Sequence, residues 1–92
     1  MTERRFPPPR SRSWRAHLIA GLHVAVIDEE LVVSLPPSNY SVTYYKQPHS
    51  PGLLAKNISH RDDPQTEIKL SEFLAEAWRA ANDKARELGW IV

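Results

Sequence analysis

The fold of this chain is decided by the stretch SEFLAEAWRAANDKARELG, residues 71–89. Its apolar residues return every three or four positions, which is the spacing of one face of an amphipathic helix. These residues are Phe73, Leu74, Ala77, Trp78, Ala81, Ala85 and Leu88. The charged residues fall on the opposite side and are Glu72, Glu76, Arg79, Asp83, Arg86 and Glu87. The sequence therefore predicts one long C-terminal helix that packs its apolar face, including Trp78, into a core.

Both ends of this helix carry sequence signals. Ser71 is placed to cap the N-terminus, and Glu72 follows where the helix dipole favours a negative charge. Gly89 stands where a left-handed residue ends a helix, and Trp90 can then fold back over Ala85. We therefore expect the helix to start at Ser71 and to stop at Gly89.

Length and composition limit the class of protein. The chain has 92 residues, of which 41% are hydrophobic, so it holds one domain with one modest core. It has no cysteine, which excludes disulfides and thiolate metal sites. Residues 1–12 are polar and rich in proline, unlike an export signal, and no segment has the roughly 20 apolar residues of a membrane helix. These features predict a cytoplasmic protein without a membrane contact.

The charge is unevenly distributed. Residues 1–12 form a basic, proline-rich segment around Pro7–Pro9, which we interpret as a flexible arm in front of a single α+β domain at 13–92. Arginine residues near this terminus give the first fifteen positions a net charge of +4, and the rest of the chain carries −3. They are Arg4, Arg5, Arg10, Arg12 and Arg15.

Between the arm and the helix, the pattern predicts a small sheet. Ser13 can cap a short N-terminal helix that Gly21 ends. Residues 23–28, 31–35 and 40–46 are rich in β-branched residues or alternate between polar and apolar, and so predict three strands. Residues 53–58 fit either a short edge strand or a packed loop. The expected fold is a mostly antiparallel, three-stranded sheet packed against the C-terminal helix.

Both faces of the first predicted hairpin are apolar, so each face should have a cover. If Ile27 opposes Leu31, one face carries three valines that the short N-terminal helix or a partner subunit would have to cover. We expect a second copy of the chain to bind there, beside the strand at 40–46, which should lie at or near the sheet edge. The expected contact residues are Val24, Val26, Val32 and Tyr45.

Two other functions compete with this interpretation. The arginines of the arm could contact the phosphates of a nucleic acid. His49, His60 and Asp62 could instead serve a small enzyme or a metal protein, although their spacing matches no helix-borne ligand motif. The chain has no glycine-rich phosphate loop and no nucleophile elbow. The sequence therefore assigns no catalytic residue, no metal ligand and no cofactor.

Two stretches resemble a family of short uncharacterised bacterial proteins: LVVSLPPSNYSVTYYK at 31–46 and EFLAEAWRAANDKARELGWIV at 72–92. The resemblance covers most of the domain but not the arm. It implies a bacterial cytoplasmic protein, and it brings no activity, ligand or site residue with it. Taken together, the sequence favours a small non-enzymatic interaction module that forms a homodimer.

Overall fold

The fold is a four-stranded antiparallel sheet with one long helix packed on a single side, in a computed structural model that describes residues 18–92. Residues 18–21 form a helical turn ahead of the sheet. The elements are β1 (His23–Ile27), β2 (Glu30–Ser34), β3 (Ser41–Lys46), β4 (Leu53–Lys56) and α1 (Leu70–Glu87). The α+β class expected from the sequence is confirmed.

The number of strands differs from the prediction, because β4 is a fourth strand beside β3. It has only four residues, and Asn57 ends it in the left-handed region with φ 53°. Four residues are too few for a visible alternation pattern, so the sequence does not distinguish a strand from a loop here. Residues 18–21 are helical, and positions 13–17 of the predicted N-terminal helix lie outside the described residues.

The predicted register of the first hairpin is wrong by one residue. Ile27 pairs with Glu30 rather than with Leu31, which closes a turn of two residues. Asp28 makes this tight turn by adopting φ 55°, a conformation that aspartate tolerates better than most residues. A shift of one residue moves side chains to the other face. The valines of the predicted patch are consequently divided between the two faces of the sheet.

The helix begins earlier than predicted, and its cap lies two residues before the expected cap. Leu70 is its first residue and Lys69 stands at the cap position, so the expected cap at Ser71 is wrong. Glu72 Oε1 accepts the N–H of Lys69 at 2.8 Å. Asp62 Oδ1 accepts the N–H of Leu70 at 2.8 Å. Two carboxylates thus satisfy the helix start in place of a serine hydroxyl, and the dipole favours both.

The predicted end of the helix is confirmed. Gly89 has φ 80°, and its N–H donates to the carbonyl of Arg86 at 3.1 Å. The N–H of Trp90 donates to the carbonyl of Ala85 at 2.8 Å. This pair of bonds is a Schellman motif, in which glycine takes the left-handed position without a steric cost.

The core lies between α1 and the side of the sheet that faces it. Three buried alanines of the helix, at 77, 81 and 85, let its backbone approach β2 and β3 closely. The other core residues are Leu18, Leu31, Val33, Leu35, Tyr40, Val42, Tyr44, Leu53 and Phe73. Leu18 places the helical turn before β1 on this same side of the sheet.

Three residues of the predicted helix depart from the expected pattern of burial. Trp78 is 46% exposed, and Leu88 is also exposed, although both were expected in the core. Glu76 is only 8% exposed, although it was expected in solvent. The buried stripe is centred on the small residues Ala77 and Ala81, because these let the helix lie close to the sheet. Trp78 therefore stays at the margin of the stripe.

Candidate interaction surface

Among residues 18–92, the sheet has two edges without a neighbouring strand, and they belong to β1 and β4. The strand order is β1-β2-β3-β4, so β3 pairs on both sides. The strand expected at or near an edge is therefore not an edge strand itself, but lies one strand in from the edge that β4 forms. Tyr45 lies inside the sheet, between Glu30 on β2 and Leu54 on β4. Any binding by strand addition must use β1 or β4.

The direction of the free backbone groups on β1 follows from one hydrogen bond. The N–H of Leu35 donates to the carbonyl of Tyr40 at 3.3 Å, so the backbone of Leu35 points toward β3. Along an antiparallel strand these directions alternate, so Val32 and its even-numbered neighbours point toward β1. Val32 pairs with Ala25, which therefore bonds to β2. The N–H and C=O groups of Val24 and Val26 consequently point out of the sheet.

The side chains of β1 are apolar and partly exposed. Its sequence, HVAVI, has no charged residue and no proline. Val26 is 44% exposed on the helix side and Ile27 is 54% exposed on the other side. By contrast, β4 ends in Lys56, the kind of charge that protects natural edge strands from association. Of the two edges, that of β1 is the one without such protection.

A shallow groove of about 310 Å³ borders β1 on the helix side. The exposed side chain of Ile19 lines it together with Leu22 and Val24. The opposite wall belongs to α1 and includes Glu76, Arg79 and Asp83. The groove therefore continues the apolar edge of β1 toward a charged helix surface. The sequence pattern does not single out Ile19 and Ile27, since only the register and the strand order reveal their exposure beside this edge.

The face of the sheet away from α1 carries Val32 and Tyr45 on its inner strands. The Nζ atom of Lys56 lies 5.3 Å from the centroid of the Tyr45 ring, and it forms an ion pair with the carboxylate of Glu30. Lys56 starts opposite Thr43, so its aliphatic stem crosses the centre of this face, where Thr43 is buried. Val32 and Tyr45 are both half-buried, and the charged end of Lys56 covers the Tyr45 ring.

The structure places the four expected contact residues at two different surfaces. Val24 and Val26 share the helix side with Leu31 and Val33, their partners across the strand. Val32 and Tyr45 lie on the opposite face. The two groups are therefore not one continuous patch. Among the strands that the structure describes, β1 is the edge strand with large exposed apolar side chains.

Tyr44 and Tyr45 point to opposite faces, as expected for neighbours on a strand. Tyr44 is buried against Trp78, with ring centroids 5.7 Å apart. Burial raises the pKa of the Tyr44 hydroxyl from 10.0 to about 12, because it removes water that would solvate the phenolate. Tyr44 therefore belongs to the core and stays protonated at neutral pH.

The loop histidines and aspartates with potential for chemistry have structural roles or lie apart. His49 and His60 are exposed, and Asp62 binds the helix start. Asp63 is buried, and its carboxylate accepts the N–H of Asn39 at 2.9 Å and that of Gln65 at 2.8 Å. Within residues 18–92, no group of three histidine or acidic side chains is arranged to hold a metal ion.

One cavity of about 250 Å³ lies beside the turn between β2 and β3. Its walls are Gly21, Leu35, Pro36, Pro37, Ser38, Gln65, Thr66 and Ile68. None of these residues has an ionisable side chain, so the cavity offers no general acid or base. An added Cβ at Gly21 would stand 3.1 Å from Leu35 Cδ1, so a larger residue at this wall would require the Leu35 methyl group to move by a few tenths of an ångström.

The arginines expected to bind nucleic acid, Arg4, Arg5, Arg10, Arg12 and Arg15, lie outside the described residues. The part of the chain that is described has seven basic and ten acidic residues. A net negative charge repels phosphate, so this part of the chain as a whole offers a nucleic acid no net electrostatic attraction. In the same part of the chain, no helix is both long and apolar enough to cross a bilayer.

Comparisons of the chain with protein-family models, with curated proteins and with solved structures each found no match. The resemblance to short bacterial proteins therefore stays a prediction.

Proposed function

We propose that the chain is a small non-enzymatic interaction module that binds a partner by strand addition at the free edge of β1. The observation that supports this function is the outward direction of the backbone groups of Val24 and Val26 beside exposed apolar side chains. Unpaired N–H and C=O groups at an edge accept another strand, and the added strand gains affinity from main-chain hydrogen bonds.

Side chains on both sides of the edge give this surface its selectivity. An added strand would place alternate side chains against Val26 on the helix side and against Ile27 on the other side. Ile19 extends the apolar surface on the helix side. A partner strand with small or β-branched residues fits such an edge better than a charged strand, since a buried charge would lose its water without gaining a partner.

The second surface, around Val32 and Tyr45, supports this function less well. A partner there would have to displace Lys56 from the Tyr45 ring and from Glu30. Tyr45 is nevertheless a residue that a partner on that face would meet. The role of Tyr45 as a contact residue stays a prediction, and it has less support than the edge of β1.

The competing functions receive less support from the described residues. His49, His60 and Asp62 form no common site, and the cavity beside Pro36 and Pro37 has no acid or base in its wall. Nucleic-acid binding by the arm stays a prediction, because the arm lies outside the residues that the structure describes. A bacterial, cytoplasmic location also stays a prediction.

The proposed function is tested by photo-crosslinking in cells that naturally make the chain. A benzophenone amino acid at Val26 in the full chain should give an adduct of discrete mass. The matched control carries the same group at Ile58, which is also exposed but lies after β4. Absence of an adduct from Val26, or equal adducts from both positions, would show that the β1 edge is not a binding surface.

A further inference from the structure

We infer that the strand added to β1 is β1 of a second copy, related to the first by a two-fold axis at Ala25. This inference rests on the proposed function and names its partner. The order of residues along β1 and the direction of their backbone groups each select the same register.

The alternating direction of the backbone N–H and C=O groups along β1 selects a pairing centred on Ala25. Val24 and Val26 are the residues of β1 whose backbone groups point outward. In an antiparallel pair of two β1 strands centred on Ala25, Val24 of one copy lies opposite Val26 of the other. Both members of each pair then point toward each other and can exchange two hydrogen bonds. This register satisfies all outward groups of both valines in both copies.

The neighbouring two-fold registers satisfy fewer groups. A centre on Val24 would place Val26 opposite Leu22, which precedes β1. A centre on Val26 would place Val24 opposite Asp28, whose φ of 55° belongs to the turn. Neither of these two opposing residues lies within β1, so the register centred on Ala25 is the one that the strand's own limits favour.

The side-chain pattern of β1 is also self-complementary about Ala25. On the helix side, the valines at 24 and 26 of both copies would form one apolar row. On the other side, two alanines would meet on the axis, and their small size permits close approach. No charged residue of β1 would be buried, because the strand has none. The paired strands themselves would therefore contain no desolvated charge.

The two helices would not collide in this arrangement. Because α1 packs on β2 and β3, each helix axis would lie about two strand spacings from the two-fold axis. The helices would then be about 19 Å apart, roughly twice the distance of direct helix packing. Ile19 borders this gap, because it lines the groove between β1 and α1. The dimer would thus form one eight-stranded sheet with Ile19 beneath its centre on the helix side.

The contact is small. Two paired strands of five residues bury less than the total of about 1,200 Å² typical of stable interfaces, even with Ile19 added. We therefore expect reversible self-association with a dissociation constant in the micromolar range or weaker, as for transient complexes of low buried area. Sedimentation of the full chain from about 5 µM to about 500 µM should show a rising weight-average mass.

The register is tested by cysteine crosslinking, since the chain has no cysteine of its own. In the proposed pairing the two Ala25 residues are directly opposite in a non-hydrogen-bonded pair, with Cα atoms about 4.5 Å apart. This distance suits a disulfide. Ala25→Cys should therefore form a covalent dimer under mild oxidation. The matched control is Ile27→Cys, which is more exposed but lies about 13 Å from its symmetry mate along the strands.

The outcomes separate this inference from the proposed function. A dimer from Ala25→Cys at least ten times faster than from Ile27→Cys supports the register. Equal rates, or a strict monomer over the whole concentration range, would overturn the second copy as the partner. A crosslink from Val26 to a different protein would then leave the proposed function standing, whereas no crosslink at all would remove both. Circular dichroism of each variant checks that the sheet is intact.

Discussion

The rings of Tyr40 and Phe73 stack with their centroids 5.3 Å apart and their planes 25° from parallel. This pair joins the residue just before β3 to the first turn of α1. Both rings are almost completely buried, whereas Trp78, the largest side chain of the helix, is half exposed. The packing of the helix therefore depends on Phe73 more than on Trp78.

This difference gives a mutational prediction. Phe73→Ala removes a buried ring from the stack and should lower the free energy of unfolding by about 3–5 kcal/mol. Trp78→Ala removes a ring that only partly leaves water and should cost about 1 kcal/mol. Urea unfolding followed by circular dichroism measures both changes. Equal midpoints for the two variants would show that Trp78 is as important to the core as its size suggests.

Asp63 should be a stability residue. Its carboxylate accepts the N–H groups of Asn39 and Gln65, and its own N–H donates to the Tyr40 hydroxyl. Asp63→Ala leaves two partly buried donors without partners and should cost about 2–3 kcal/mol. The control is Asp62→Ala, which loses one exposed bond at the helix start and should cost about 0.5–1 kcal/mol. The midpoint of urea unfolding should be lower for Asp63→Ala than for Asp62→Ala. The opposite order would contradict the structural role of Asp63.

A substitution in the turn between β1 and β2 should stabilise the fold. Asp28 has φ 55°, a conformation in which glycine has no steric penalty. Asp28→Gly should therefore raise stability by about 0.5–1 kcal/mol, after the larger entropy of glycine in the unfolded chain is included. Glu29→Gly serves as the control, because φ is not positive at Glu29 and the substitution brings only the entropy cost. A lower melting temperature for Asp28→Gly would contradict this expectation.

Alkaline pH should destabilise the fold through Tyr44. Burial raises its pKa to about 12, whereas the unfolded chain should titrate near 10.0. The folded state therefore holds this proton over a range in which the unfolded state loses it, and stability falls as pH rises from about 10 to about 12. Below pH 10 the contribution is complete. Other groups also titrate in this range, so the comparison with Tyr44→Phe is the measurement. Between pH 10 and pH 12, the unaltered chain should lose more stability than the Tyr44→Phe variant.

Much of the fold was accessible from the sequence because it follows from local patterns. The helix has a clear period and a glycine end, and the strands carry β-branched residues. The start of α1 was less accessible, because its caps are Glu72, from within the helix, and Asp62, from eight residues before Leu70. A bond from a preceding loop leaves no signature beside the helix start.

The interaction surface was accessible only in part. Val24 and Val26 stood out as apolar residues that need a cover, and both lie on the free edge. Their grouping with Val32 failed because the register depends on the backbone of Asp28, a residue that gives no strong turn signal. The interior position of β3 depends on β4, whose four residues are too short to be recognised as a strand.

The neighbouring carboxylates of Asp62 and Asp63 have a consequence for motion. One holds the start of α1 and the other holds the backbone before β3, while the Tyr40 hydroxyl donates to the carbonyl of Ile68 at 2.6 Å. Two adjacent residues in the middle of the connection between β4 and α1 thus fasten it to the helix start and to the backbone before β3. The amides from Asp63 to the first turn of the helix should therefore exchange with deuterium together, as one cooperative unit.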